Sequence, residues 1–222
     1  MKAFRMNSLV SCHKESENHI LVDKVIAPDE VCVRCVLYPK MRLNKNSADL
    51  SGSTFLPNKR GQNDVSILRL RYCNEEFAIK HGEHIAEKMR NGNPNARFWG
   101  LAELTQQIID SVNEWAQSDD SIALGIDGVN GIQASIEYKP MFDDCNYVTD
   151  GRDVYLDDPA IEFPMHAELI YSRQLCPEVQ TRLRNYTNEL LKRIKFKLVD
   201  EKGLWSEWQQ EEEFNAHNRR IV

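Results

Sequence analysis

Apolar residues recur along this chain at two different periods, and the order of those periods restricts the fold more than any motif does. A period of two places successive side chains on opposite faces of a strand. It covers residues 65–72, where Leu68, Leu70 and Tyr72 share one face and Arg69 and Arg71 the other. It returns in 132–138 (Ile132, Ala134, Ile136, Tyr138) and in 163–171 (Phe163, Met165, Ala167, Leu169, Tyr171). Residues 31–38 form a β-branched, nearly continuous apolar run that reads as a further strand. Shorter strands are expected at 19–26, 53–56, 121–126 and 154–156. Helical spacing covers 74–89, opened by Asn74 with Glu75 and Glu76 at the positive end of the helix dipole and stopped at Asn91-Gly92-Asn93-Pro94. Leu101, Leu104, Ile108, Val112 and Trp115 predict a second helix over 101–116. Val179, Leu183, Tyr186, Leu190, Leu191, Ile194 and Leu198 form the stripe of a third, opened by Pro177.

Strands, two helices, strands again and then helices make a segregated order. It predicts an α+β fold, with a largely antiparallel sheet packed against helices and with C-terminal helices. The strand–helix alternation of a doubly wound nucleotide-binding fold is absent. The chain divides into a single α+β domain over 1–200 and an acidic, aromatic helical tail over 201–222.

With 222 residues and 41% hydrophobic content, the chain can build a core without disulfides or metal. Its 34 acids against 28 bases give a formal charge of −6, which repels phosphate backbones and sets nucleic acid aside as the default partner. No apolar run approaches the roughly 20 residues that span a bilayer. Residues 1–10 lack the apolar core of a secretory signal. The expectation is a cytoplasmic protein with no membrane contact. Cys32 and Cys35 have the spacing of zinc and redox pairs, but in a strand three residues apart they point to opposite faces. They are expected to be core thiols.

No glycine-rich phosphate loop, dinucleotide fingerprint or nucleophile elbow occurs, so no motif names a cofactor. The acidic stretch over 143–158 lacks the spacing of a calcium loop and reads as solvated. His81 and His84, three apart on one helix face, are the candidate metal ligands, although two groups alone do not make a zinc site. The candidate catalytic set lies on polar strand faces: Arg34 as an anion clamp, His166 as acid or base, and Glu137 or Glu168 as the activating carboxylate. The order Arg34, Ser53-Thr54-Phe55, then Glu137 or Glu168 resembles ADP-ribosyltransferases of the arginine–serine–glutamate class. The resemblance implies a clamp arginine, a Ser-Thr strand and a late catalytic glutamate. Two departures stand against it: Ser53 follows Arg34 closely, and Ser135 and His166 stand two residues before the glutamates where the class has an acid or glutamine.

Trp205, Trp208 and Phe214 are large apolar groups in the acidic tail, and such anchors dominate interface energetics. The leading functional expectation is therefore an accessory or interaction protein, a subunit of a multi-component system acting through a protein partner. The alternative is a small enzyme, ADP-ribosyltransferase-like or hydrolytic, working from the polar sheet face.

Overall fold

The computed structural model describes residues 4–5, 24–38, 50–118, 131–139, 147–149, 152–154, 166–199 and 204–210. In chain order these hold β1 (Phe4–Arg5), β2 (Cys32–Tyr38), a 3-10 turn (Gly52–Phe55), β3 (Asp64–Arg69), α1 (Glu75–Met89), β4 (Arg97–Leu104) and α2 (Gln106–Ser118). Then come β5 (Ala134–Tyr138), β6 (Tyr147–Thr149), β7 (Arg152–Val154), β8 (His166–Tyr171), α3 (Pro177–Arg193), β9 (Lys195–Leu198) and β10 (Gln209–Gln210). Seven strands form one antiparallel sheet in the order β10-β9-β4-β2-β3-β8-β5. A small second sheet joins β1, β6 and β7, with β1 parallel to β6. The α+β class and the largely antiparallel sheet are as the sequence predicts. No helix among the described residues is long and apolar enough to cross a membrane.

Local chemistry sets the helix ends. The Asn74 side chain accepts from the Phe77 amide at 2.8 Å, and Glu75 and Glu76 occupy the positive first turn of α1. The Thr105 hydroxyl accepts from the Ile108 amide to start α2. Pro177 opens α3, where a missing amide costs nothing, and Lys192 and Arg193 sit at its negative end.

The sheet is covered on both faces. Ile109, Val112 and Ala116 of α2 and Val179, Leu183, Tyr186 and Leu190 of α3 pack on one face, against Cys32, Val36, Ile67, Ala167, Leu169 and Phe196. Phe77 and Ala78 of α1 pack on the other, against Val33, Cys35, Leu68 and Leu101. The outer edge of β5 is closed by α2. Asn113 accepts from the Ala134 amide at 2.8 Å and donates to the Ala134 carbonyl at 2.9 Å, while Gln106 accepts from the Ile136 amide at 2.7 Å. Two side chains thus replace a missing neighbour strand, whose unmet groups would each cost about 1–3 kcal/mol if buried. At one end of the sheet the fully buried Arg69 is held bidentately by Glu30 at 2.5 and 2.9 Å, with Tyr72 under its guanidinium.

Four expectations are corrected. The helix predicted over 101–116 begins at Gln106, and Arg97–Leu104 is instead a central strand with Trp99, Ala102 and Leu104 buried in one core and Leu101 in the other. The third helix ends at Arg193, where Ile194 turns to φ −97 and ψ 165, and Leu198 belongs to β9. Ser53-Thr54-Phe55 is a 3-10 turn capped by the Ser51 hydroxyl, not a strand. Finally, residues 204–210 are extended rather than helical. The open edge of β9 offers them backbone partners: Val199 bridges Trp205, the Ser206 amide donates to the Leu198 carbonyl, and Gln209 and Gln210 pair with Phe196 and Lys195. Phe214 and the acids after Gln210 lie outside the described residues, as do the strand expected at 121–126 and most of the acidic stretch; of the strand expected at 19–26, residues 19–23 also lie outside them and 24–26 are not in a strand.

Candidate functional site

The antiparallel register decides which polar side chains meet. Glu168 of β8 lies opposite Glu137 of β5 on one side and Ser66 of β3 on the other, and His166 lies opposite Leu68. Directly opposed residues share a face. His166, Glu168 and Glu137 are therefore gathered on the α1 side of the sheet, the face of Val33, Cys35 and Leu68. Lys139 completes the group, its ammonium 2.6 Å from Glu168 Oε2. That hydrogen bond to Glu168 holds the Lys139 pKa above its ordinary value. The Ser135 hydroxyl donates to Glu137 at 3.1 Å.

His166 is buried, and its Nδ1 lies 2.7 Å from the Lys139 carbonyl. A carbonyl only accepts, so Nδ1 carries the proton in this contact. A histidine, two carboxylates and an ammonium on adjacent strands can in chemical terms move a proton and balance the charge that results.

Arg34 does not join them. Cys32, Arg34 and Val36 alternate with Val33 and Cys35, and Cys32 and Val36 belong to the core under α2 and α3. The guanidinium therefore enters the opposite face, where it donates through Nη1 to the Ser66 carbonyl at 2.7 Å and through Nε to the Thr54 carbonyl at 3.4 Å. Burial pushes its pKa below the ordinary arginine value, with Cys35 and Tyr171 acting in the other direction. The predicted four-residue set is thus split by the sheet into Arg34 on one side and Glu137, His166 and Glu168 on the other. The ADP-ribosyltransferase-like ordering is not assembled as one site, because Arg34 and both candidate glutamates have the sheet between them.

His81 and His84 both lie on α1. His81 is buried and stacks on Phe77 with ring centres 6.2 Å apart, while His84 is half-buried. Among the described residues no group of three or more histidine, cysteine, aspartate or glutamate side chains is placed to hold a metal. Cys32 and Cys35 occupy opposite faces as expected and are both buried.

The tail tryptophans fold back onto the domain. Trp205 lies against Phe98 at 5.9 Å with the Lys197 ammonium 5.7 Å from its ring, and Trp208 packs on the core beneath α1. Leu204 nevertheless stays 65% exposed and Trp205 36% exposed. Lys139 is absent from the set expected from the sequence, and Thr54 entered it only as part of an expected Ser-Thr strand. Lys139 shares the alternation of Ser135 and Glu137, a signal that was present, whereas nothing in the pattern announces the turn that carries Thr54. No family model matches the chain, and no curated protein or solved structure matches it significantly.

Proposed function

We propose that the protein works through a macromolecular partner, as an accessory subunit that presents the edge segment 204–208. What supports this reading is an exposed apolar pair, Leu204 and Trp205, held at the margin of the sheet by a bridge and a two-residue strand. Exposed apolar neighbours on a fixed backbone are the usual anchor of an interface. The mode differs from a helix laid in a groove: the segment is a strand margin, so a partner meets backbone as well as side chains. Glu207, also exposed, and the acids after Gln210 favour a partner with a basic face.

Affinity purification of the full chain from its native host tests this. One stoichiometric partner is expected with the wild type and none with Leu204→Glu. The absence of any partner with the wild type sinks the proposal.

A second reading rests on the gathered His166, Glu168, Glu137 and Lys139, which suit acid–base chemistry on the α1 face. There Glu168 is the carboxylate, His166 the proton carrier, and Arg34 has no part. If turnover of any substrate is found, Glu168→Gln should abolish it while the melting temperature (Tm) shifts by no more than about 3 °C. Unchanged activity in the Glu168→Gln variant removes this reading.

A further inference from the structure

The seam between β2 and β3 opens after two residues. Cys32 pairs with Arg69 and Val33 with Leu68, and there the ladder stops, although β2 runs on to Tyr38 and β3 extends back to Asp64. Each strand keeps a long register with its other neighbour, β2 with β4 and β3 with β8, so the gap belongs to this seam. The Arg34 side chain spans it, reaching the Ser66 carbonyl on β3 and the Thr54 carbonyl on the 3-10 turn. Tyr171 stands close by, its hydroxyl donating to the Phe55 carbonyl at 2.7 Å. The turn is fixed from behind by α3: a Cβ on Gly52 would meet Asn188 Oδ1 at 2.4 Å and Thr187 Oγ1 at 2.6 Å.

Two features of this seam are incomplete. Arg34 is 9% exposed, and among the described residues no carboxylate pairs with it. Thr54 is fully buried, and its hydroxyl has no hydrogen-bond partner among the described residues. Buried charges in folded chains are paired, because desolvation without a counter-charge is strongly unfavourable. The same sheet shows the paired arrangement at Arg69, where Glu30 supplies both oxygens. A guanidinium has five N–H donors in a fork, and Arg34 directs two of them at carbonyls. The remaining donors include one on Nη1 and both on Nη2, the end of the fork that takes an oxyanion side by side.

From this we infer that the β2–β3 seam is a binding site for a small oxyanion, the phosphate or carboxylate group of a small-molecule ligand, held by the Arg34 fork and the Thr54 hydroxyl. The anion supplies the counter-charge and the hydroxyl partner that the described chain leaves out. The site lies across the sheet from His166 and Glu168 and does not depend on the partner-binding reading.

The full chain, titrated with sodium phosphate, pyrophosphate or acetate at an ionic strength balanced with sodium chloride, tests the site by Tm and calorimetry. A saturable response to at least one anion is expected, with Tm rising about 3–5 °C for each tenfold excess over Kd. Preference for phosphate or pyrophosphate assigns a phosphoryl ligand, and preference for acetate a carboxylate. Thr54→Val, close in shape to the native residue, should weaken binding roughly fivefold or more. Arg34→Lys keeps the charge, loses the fork and should weaken it more than tenfold. The inference is overturned if none of the three anions gives a saturable response, or if both variants bind as the wild type does.

Discussion

Cys32 and Cys35 show how much a single strand assignment decides. Placed on opposite faces, each meets a different core, and burial pushes both thiols up to about 12, with Glu30 adding to the effect at Cys32 and Arg34 opposing it at Cys35. At pH 8 both are protonated, so iodoacetamide should label neither in the folded protein and both after denaturation. Labelling of the native chain at rates typical of free thiols would contradict the placement. The pH dependence has a definite sign. An ordinary thiol titrates near 9, so between about pH 9 and 12 the unfolded chain gives up protons that the folded chain keeps. Stability is therefore fully present below pH 9 and falls as pH rises towards 12, and Cys32→Ala should flatten that fall in urea titrations. The pairing of His166 with Glu168 on one face was equally legible, because alternation alone sets it. The face of Arg34 was not, since β2 is buried on both sides and carries no alternation to read.

The strand Arg97–Leu104 was hidden for the same reason. A central strand covered on both faces loses its period of two, and Leu101 and Leu104 happened to extend the helical spacing of Ile108, Val112 and Trp115. The strand Lys195–Leu198 was masked differently: its Leu198 fell in register with the stripe of the preceding helix, and nothing but the alternation of four residues marked the change. Gly100 is the signal that was missed. It sits beside the register shift at Val36 and Leu37, at φ 155, and a Cβ there would lie 2.2 Å from the Lys197 carbonyl of β9. Backbone atoms on a paired strand cannot yield, so Gly100→Ala should cost about 2–4 kcal/mol in urea unfolding. Gly82→Ala provides the comparison. Its Cβ would press on the Phe98 side chain rather than on paired backbone, and the helix gains from alanine in place of glycine. A Gly100→Ala variant as stable as the wild type would mean that β4 and β9 do not approach in this way.

The α+β class was legible from the presence of both periods, although the segregated order itself did not hold: β4 lies between α1 and α2, and β9 and β10 follow α3. The periods did not suffice for the site, which depends on strand order and on which face each residue takes. The sheet separates two polar sets, Arg34 with Thr54 under α2 and α3, and His166, Glu168, Glu137 and Lys139 beside α1. It also takes in the described part of the tail as its last edge, which leaves Leu204 and Trp205 exposed on a fixed backbone. The proposed partner surface depends on few side chains, and an exposed one can be changed without disturbing the core. The most direct measurement is the affinity of the recovered partner for the wild type and for Leu204→Glu, with Tm recorded for both. Binding at least about tenfold weaker is expected for the variant, with Tm within about 1 °C of the wild type. Equal affinities at equal Tm would contradict the proposal.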